Sequence, residues 1–436
     1  MVDRRRMMAT AAAGMAAWSL PASAAPQPRA RFPKGFLWGA ATAGHQVEGN
    51  NVNADQWLLE TTPPMLGEAP SGDACNSFEL WPVDLDLAKN MHLNAYRFSI
   101  EWPRIEPVDG MFSIAMLDHY KAIVDGCLAR GMRPVVTLCH FTTPRWFAAR
   151  GGWLNDYSPA LFARYCDRVM RHLGDRIAYV TTFNEPNNAL LLQSVLPPPF
   201  WNALRASLAA CAKASGSDRF TVGNIVLPEH VEPITRNLLA AHVAGRQAIK
   251  AVRSNLPVGV TLAVLDDQAE GANSVRDARR ETFYGRWLRA TRDDDYVGVQ
   301  NYERAVWDAK GKRPTPPGVP VNHSGVEIYP ASLANAVRYV HAQTRKPILV
   351  TEHGVGTTDD RLRANLIPAA LAHLSAAMAE GVPVLGYIHW SLLDNFEWGG
   401  NDHARFGLIE VDRRTFKRTP KPSAAVLGAI AARNGL

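Results

Sequence analysis

Cysteine is scarce in this sequence, and no ligand pattern for a metal ion is present. The five cysteines stand far apart, at positions 75, 127, 139, 166 and 211. They form no CxxC pair and no Cys/His spacing of the kind that binds zinc. Their odd number argues against a disulfide framework. We therefore expect no metal site and five separately buried thiols that pack as small apolar side chains.

The sequence contains no block of lysine and arginine residues beyond residue 6. Lysine and arginine number 47 against 41 aspartates and glutamates, a net charge of +6, and they are scattered along the chain. Nucleic-acid binding is therefore not expected. No apolar run is long enough for a stable membrane span. A glycine-rich phosphate turn after an early strand is also absent, which disfavours an open doubly wound sheet.

The first 25 residues have the composition of a targeting segment. Arg4-Arg5-Arg6 precedes an alanine-rich, mildly apolar run from Ala9 to Leu20, and Ala22-Ser23-Ala24 forms a small-x-small cleavage site. Paired arginines before a weakly hydrophobic run are typical of a twin-arginine export signal. A Sec signal or a start codon assigned too far upstream are the alternatives. We expect a signal over 1–25, export to the periplasm, and one folded domain over 26–436.

Strand-like runs alternate with helix-length amphipathic segments from Phe32 onward. The predicted strands are Phe36–Ala43, Asn94–Glu101, Arg133–Cys139, Tyr179–Phe183, Val258–Leu265, Tyr296–Gln300, Ile348–Thr351 and Val384–Ser391. The strands read as continuous apolar runs because crossover helices would cover them. Eight strand–helix units in this order predict an α/β fold, a single (β/α)8 TIM barrel.

Two of the predicted strands end in a glutamate. The fourth strand leads into Asn184-Glu185-Pro186, and the seventh leads into Glu352-His353-Gly354. Burying a carboxylate without a partner costs several kcal/mol, so packing alone does not explain these positions. The C-terminal ends of barrel strands meet on one face, which is where barrel enzymes have their active sites. We therefore expect the two glutamates to lie together there.

Polar and aromatic side chains follow most of the other strands. They are Gln46 and Glu48, Arg97, His140, Asn301 and Tyr302, Trp390, and, in the last loop, Glu397 and Trp398. A single histidine or tryptophan is usually a packing residue, but such groups at seven strand ends are hard to explain by packing. Side chains that both donate and accept hydrogen bonds suit sugar hydroxyls. Two carboxylates suit cleavage of a glycosidic bond, which requires no metal or cofactor.

Over roughly residues 32–422 the sequence resembles glycoside hydrolase family 1, the retaining β-glycosidases. The motifs that carry the resemblance are Phe36–Gly49, Asn94–Trp102, Asn184-Glu185-Pro186 and Trp390–Trp398. The resemblance implies an exo-acting retaining β-glycosidase that hydrolyses a small-molecule β-glycoside, and we expect a β-glucosidase. A β-galactosidase, a β-fucosidase or a transglycosylase on hydrophobic-aglycone glycosides is the alternative. An inactive sugar-binding barrel is a remote alternative, because it would be expected to have lost one glutamate.

The resemblance also implies a role for each strand-end residue. Glu185 would be the general acid/base and Glu352 the nucleophile, with Arg97 and Tyr302 beside Glu352. The substrate-binding residues would be Gln46, His140, Asn184 on the 2-hydroxyl, Tyr302, Trp390, Glu397 and Trp398. A cation such as Arg97 would keep Glu352 ionised, whereas the facing like charge would favour protonated Glu185. A carboxylate at Glu397 would repel a phosphate, so we expect non-phosphorylated substrates.

Three positions depart from the family pattern. His353 follows the nucleophile where asparagine is usual, and Phe141 replaces a common tryptophan. The segment after Pro186 lacks the usual Gly-Tyr loop and carries an apolar run with several prolines, Leu190 to Trp201. We expect that run to form a stiff loop whose aromatic residues, with Trp146 and Phe147, either line a wide apolar aglycone site or pack against outer helices.

Overall fold

The computed structural model describes residues 31–67, 69–398 and 404–436. These residues contain a closed barrel of eight parallel strands. The strands are β1 (Leu37–Ala41), β2 (Ala95–Ser99), β3 (Arg133–Cys139), β4 (Tyr179–Asn184), β5 (Val258–Ala263), β6 (Tyr296–Asn301), β7 (Ile348–His353) and β8 (Val384–Trp390). Each strand pairs with the next along the chain, and β8 closes on β1. The predicted TIM barrel is therefore confirmed, whereas the predicted signal over 1–25 lies outside the described residues.

Three of the barrel strands, β4, β6 and β7, continue further than the sequence predicts, whereas β1, β2, β5 and β8 end one or two residues earlier. β7 includes both Glu352 and His353, because Gln300 of β6 pairs with Glu352 and Asn301 pairs with His353. β4 likewise continues through Asn184, which pairs with Thr261 of β5. Glu352 and Asn184 are thus fixed by strand pairing and not by loops, which gives the site rigid support.

Helices cover the outside of the barrel as predicted. The longer ones are Ser77–Asn90, Ile114–Ala129, Ser158–Leu173, Val231–Val252, Ser332–Thr344, Asp360–Ala379 and Pro422–Arg433, together with a helical stretch over 276–290. Short α-helices are Gly44–Val47, Asp55–Thr61, Trp102–Ile105 and Arg145–Ala149, and short 3-10 helices are Gly152–Leu154, Gly174–Arg176, Pro228–His230 and Thr291–Asp293. Two small ladders pair Asp266–Ala269 with Arg304–Trp307 and Ile409–Asp412 with Lys417–Pro420.

The prediction of a stiff loop from Leu190 to Trp201 is wrong, because this segment belongs to two helices. They are Asn188–Val195 and Pro198–Ser215. The prolines at 198 and 199 occupy the first two positions of the second helix, where no helical hydrogen bond needs their missing N–H. The second helix buries its apolar residues in a cluster with the helix Asp55–Thr61, whereas Asn188–Val195 has no buried residue.

The five cysteines are free and buried. Within 31–67, 69–398 and 404–436 the structure contains no cluster of three or more His, Cys, Asp or Glu side chains that could hold a metal ion. No helix in the same ranges combines the length and the apolar composition needed to cross a membrane.

Candidate active site

Glu185 follows directly after β4 in a backbone conformation that non-glycine residues seldom adopt. Its φ angle is 44°, in the left-handed region, and such a conformation costs about 1–3 kcal/mol. Two backbone hydrogen bonds fix it: the Glu185 N–H donates to the Thr261 carbonyl at 2.9 Å, and the Glu185 carbonyl accepts from Asn188 at 2.9 Å. The strain is therefore held by β5 and by the helix that follows.

Glu352 is buried at the end of β7 and both of its carboxylate oxygens are engaged. Oε1 accepts a hydrogen bond from Nη1 of Arg97 at 2.5 Å, and Oε2 accepts one from the Tyr302 hydroxyl at 2.6 Å. Arg97 comes from β2 and Tyr302 comes directly after β6, so three parts of the barrel meet at this carboxylate. The predicted neighbours of Glu352 therefore lie in contact with it.

The two glutamates sit in unequal electrostatic surroundings. Burial and the negative charge of Glu352 raise the pKa of Glu185 to about 8, and Arg97 only partly opposes this. Burial also raises the pKa of Glu352, but Arg97 and the Tyr302 hydrogen bond oppose the shift directly. Because a carboxylate with a cation and a donor holds its charge more readily, a proton shared by the pair resides on Glu185 at neutral pH.

Asn184 is oriented by two donors on its side-chain oxygen. Oδ1 accepts from Nη2 of Arg97 at 2.7 Å and from Nε2 of Gln300 at 2.8 Å. The amide nitrogen of Asn184 must then face away from both donors, where it can donate to a ligand. Gln300 was missed by the sequence-based prediction, although a glutamine at the end of an apolar strand was a usable signal.

Gln46 and Glu397 form one polar wall. Gln46 donates from Nε2 to the Phe396 carbonyl at 2.9 Å and to Oε2 of Glu397 at 3.4 Å. Oε1 of Gln46 is buried and has no hydrogen-bond partner among the described residues. Burial raises the pKa of Glu397 well above its ordinary value, and the charge of Glu352 adds to that shift. An unpaired buried oxygen costs about 1–3 kcal/mol, so Gln46 is poised for a ligand.

His140 and Trp390 form a second, mixed wall. Their rings stack at 5.7 Å with an interplanar angle of 13°. Burial lowers the pKa of His140 well below its usual range, and nearby Arg97 adds to the shift, so the imidazole is neutral. Nδ1 of His140 also has no partner within the part of the chain that the structure describes. Like Gln46, this ring can exchange a hydrogen bond with a bound hydroxyl group.

Trp398 is held between two aromatic rings. The imidazole of His45 stacks on it at 5.6 Å and 3°, and Phe141 meets it edge-on at 5.7 Å and 81°. Nε2 of His45 lies 3.0 Å from Oε1 of Glu60, whose other oxygen accepts two hydrogen bonds from Ser71. The sequence did not indicate the His45–Glu60 pair, because its partners come from separate helices. Phe141 thus supports Trp398 from the side.

Two polar residues near the strand ends, His353 in β7 and Glu48 after the helix Gly44–Val47, are bound to groups outside the site. His353 exchanges a hydrogen bond with the Tyr387 hydroxyl at 2.9 Å, and burial lowers its pKa to about 3. Neighbouring strand residues point to opposite faces, so His353 lies away from the carboxylate of Glu352. Glu48 accepts from Arg104 at 2.7 Å and from Tyr120 at 3.0 Å.

Two clefts flank the helix Asn188–Val195, which we call the partition helix. The Glu185 cleft has a volume of about 270 Å3, and its lining includes Glu185, Gln300, Tyr302, Leu191 and Val195. The Trp398 cleft has a volume of about 260 Å3, and its lining includes Trp398, Glu60, Leu59, Leu196 and Phe200. Asn188 and Leu192 line both clefts.

Some of the aromatic residues expected near an aglycone line a cleft, and others pack inside the protein. Phe147 and Trp201 are only 2% and 7% exposed and belong to packed clusters. Trp146 is half-buried and donates from Nε1 to the Glu106 carbonyl at 2.8 Å. Phe200 alone lines a cleft, on the Trp398 side of the partition helix. The prediction that these aromatic residues pack against outer helices is therefore the correct one for Phe147 and Trp201.

Known proteins resemble this chain along nearly its whole length. The family described as "Glycosyl hydrolase family 1" matches residues 28–222 and 282–436. β-Glucosidase A of Thermotoga maritima is 30% identical over 448 residues, which cover 93% of this chain and 99% of that protein. The apo structure of β-glucosidase 1317 is 42% identical with a TM-score of 0.87 and covers 91% of this chain and 98% of its own. The structure of β-glycosidase BGL167 is 43% identical with a TM-score of 0.85, covering 92% and 97%.

Proposed function

Because the chain belongs to glycosyl hydrolase family 1, we propose that it is a retaining, exo-acting β-glucosidase that hydrolyses non-phosphorylated β-glycosides. The observation that carries the proposal is the asymmetry of its two glutamates. Glu352 accepts from Arg97 and from Tyr302, whereas the pKa of Glu185 is raised to about 8. One carboxylate is thereby kept ionised for attack and the other kept protonated for acid catalysis.

In the first step Glu352 attacks the anomeric carbon. Its carboxylate oxygen forms a covalent bond to that carbon while the bond to the leaving oxygen breaks, and Glu185 gives its proton to the leaving oxygen. Arg97 contacts Oε1 of Glu352, and Tyr302 contacts Oε2. Both donors hold the nucleophile before attack, so little reorganisation is needed when the ester forms.

In the second step a water molecule replaces the leaving group. Esterification removes the charge of Glu352, which is one of the two causes that raise the pKa of Glu185. The carboxylate of Glu185 then becomes the stable form and takes a proton from the water. Hydroxide attack on the anomeric carbon breaks the ester and releases the sugar with its original configuration.

The unpaired polar groups around the glutamates support the binding of a neutral sugar. The Asn184 amide would donate to the 2-hydroxyl, next to the reacting carbon. Gln46 and His140 each carry a buried polar atom without a partner in the described chain, and Glu397 lies beside Gln46. Trp390 and Trp398 offer flat surfaces for the apolar faces of the sugar. A phosphate on the sugar would meet the carboxyl group of Glu397 instead of a cation, and its charge would raise the pKa of Glu397 further, which disfavours phosphorylated substrates.

Trapping the intermediate tests this function directly. An activated 2-deoxy-2-fluoro-β-glucoside should inactivate the enzyme and leave one fluoroglucosyl group on the peptide that contains Glu352. Mass spectrometry of the digested protein locates the label. A label on another residue, or no label together with release of an α-configured product, would overturn the mechanism.

The choice of sugar is open to a substrate panel. Aryl β-glucoside, β-galactoside and β-fucoside differ only at the 4- and 6-positions, which we expect Glu397 and Gln46 to contact. We propose that the β-glucoside gives the largest kcat/KM, and a larger value for the galactoside or fucoside would replace this assignment. Product analysis with added alcohol acceptors separates hydrolysis from transglycosylation.

Export is a separate proposal that rests on the sequence. Arg4-Arg5-Arg6 and the alanine-rich run behind it support twin-arginine transport to the periplasm. Replacing the three arginines with lysines should retain the enzyme in the cytoplasm. Unchanged periplasmic activity would refute the twin-arginine reading.

A further inference from the structure

The partition helix is apolar and only partly buried: Leu190 and Leu191 pack against the main core and Leu192 against the second cluster, whereas Val195 is 64% exposed. Leu190, Leu191, Leu192 and Val195 make up half of its eight residues, and none of the helix is buried. The helix is held at its start, where the Asn187 side chain exchanges two hydrogen bonds with the backbone of Ala263 at 2.8 and 3.1 Å. Partly exposed apolar side chains that line a cleft beside a reactive carboxyl group, as Leu191, Leu192 and Val195 do, indicate a binding surface.

The two sides of the partition helix differ in their access to the chemistry. Glu185 and Tyr302 both line the Glu185 cleft, and the first of these would protonate the leaving oxygen. Neither Glu185 nor Glu352 lines the Trp398 cleft. A leaving group that stays attached to its oxygen while Glu185 protonates it must occupy space that Glu185 borders. The Glu185 cleft meets that requirement.

The walls of the Glu185 cleft are mainly apolar, although Gln300 and the ion pair of Lys312 with Glu303, at 3.7 Å, also line it. Phe283 and Trp307 are 2% and 5% exposed and form part of the wall. The indole N–H of Trp307 is already donated to Asp267 at 2.6 Å, and the Ser194 hydroxyl is donated to the Leu191 carbonyl at 2.7 Å. Beyond Gln300, Glu303 and Lys312, a second sugar would find few partners here for the several hydroxyls that lose water on binding.

We propose that the Glu185 cleft takes the leaving group and selects fused-ring apolar alcohols over a second sugar, with Leu191 and Val195 as specificity-determining residues. This inference rests on the proposed β-glucosidase function. The partition helix would then form one wall of the leaving-group site, and it lies in the segment where the sequence departs from the family pattern. The aromatic residues that the sequence predicted for an aglycone site, Trp146, Phe147, Phe200 and Trp201, do not line the Glu185 cleft.

Two substrates with similar leaving groups isolate the effect of apolar surface. Phenyl and 2-naphthyl β-glucosides release phenols of similar acidity, so their kcat/KM ratio reports mainly the burial of the second ring. At about 25 cal/mol per Å2 we expect the wild-type enzyme to favour the naphthyl substrate by about fivefold. Cellobiose should be the poorest of the three substrates.

Matched substitutions then locate the leaving group. Leu191→Ser changes the Glu185 cleft alone, and Leu196→Ser makes the same change on the Trp398 side. The naphthyl-to-phenyl ratio should fall toward one in Leu191→Ser and stay near its wild-type value in Leu196→Ser. Val195→Ser, at a side chain 64% exposed, gives a second test that does not depend on packing. A fall in the Leu196→Ser ratio alone, or a wild-type ratio near one, would overturn the proposal.

A third substrate separates this inference from the function on which it rests. β-Glucosyl fluoride has no ring to occupy either cleft, but it still needs attack by the nucleophile. If the wild-type enzyme releases β-glucose from it, the proposed function stands whatever the naphthyl-to-phenyl ratio. If it does not, the β-glucosidase function itself is wrong.

Discussion

A single substitution can remove the hydrogen bond from Tyr302 to Glu352 and leave most other contacts of both residues in place. The Tyr302 hydroxyl lies 2.6 Å from Oε2 of Glu352, and Arg97 holds the other oxygen at 2.5 Å. Tyr302→Phe deletes the hydroxyl but keeps the ring, which packs edge-on against Phe406 at 5.7 Å. The carboxylate would lose the Tyr302 hydrogen bond and keep its ion pair with Arg97.

The expected effect is an upward shift of the pKa of Glu352. A hydrogen bond to a charged group contributes about 1.5–3 kcal/mol. One pKa unit corresponds to about 1.4 kcal/mol, so the loss is equivalent to about one to two units. The donor stabilises the ionised form, and burial then raises the pKa with less opposition. Activity that needs ionised Glu352 should therefore disappear at a higher pH as the solution is acidified.

The assay is the pH dependence of kcat/KM with 2,4-dinitrophenyl β-glucoside. Its leaving group needs no proton, so the acidic limb reports the ionisation of Glu352 without a contribution from Glu185. We expect that limb to move up by about one to two pH units in Tyr302→Phe. Tyr296→Phe is the matched control, because the Tyr296 hydroxyl contacts Val180 and Thr181 and not Glu352. An unmoved limb, or an equal shift in the control, would refute the reasoning.

Three other substitutions test the carboxylates and Gln300. Glu352→Gln should abolish turnover in a protein that still folds, since an amide cannot form the glycosyl ester; wild-type rates would contradict it. Glu185→Ala should slow poor leaving groups far more than activated ones, and added azide should give a β-glycosyl azide by NMR, whereas an α-azide would contradict retention. Gln300→Leu removes one donor to Asn184, so kcat/KM should fall about fivefold for glucosides, for a loss of about 1 kcal/mol, but less for 2-deoxyglucosides. An equal loss on both would argue against the 2-hydroxyl contact.

The barrel could be predicted because its signals are local. Each strand is a short apolar run, and the glutamates at the ends of β4 and β7 are visible in the chain without knowledge of its partners. The topology then brings together residues far apart in sequence, as with Arg97 and Glu352. One rule, that strand ends share a face, was therefore enough to collect most of the site.

The rest depended on register and on contacts between separate elements. Gln300 reaches Asn184 because β6 pairs with β7 so that Gln300 stands beside Glu352, and no local pattern fixes that register. The prolines near residue 198 are read as helix breakers unless they are known to begin a helix. Glu48, which the sequence groups with the strand-end residues, binds Arg104 instead of joining the site.

Arg97 links the two tasks of the site through a single side chain. One nitrogen contacts the nucleophile at 2.5 Å and another contacts Oδ1 of Asn184 at 2.7 Å, so the group that attacks and the group proposed to hold the 2-hydroxyl share one rigid support. Gln300 braces the same oxygen from β6. Because a guanidinium is planar and its donors are fixed in direction, Asn184 is positioned relative to Glu352 before any sugar binds. The partition helix is held by two hydrogen bonds at its start and by side chains that are only partly buried. The sugar side is therefore built for one geometry, whereas the leaving-group side rests on a surface that can vary without disturbing the carboxylates.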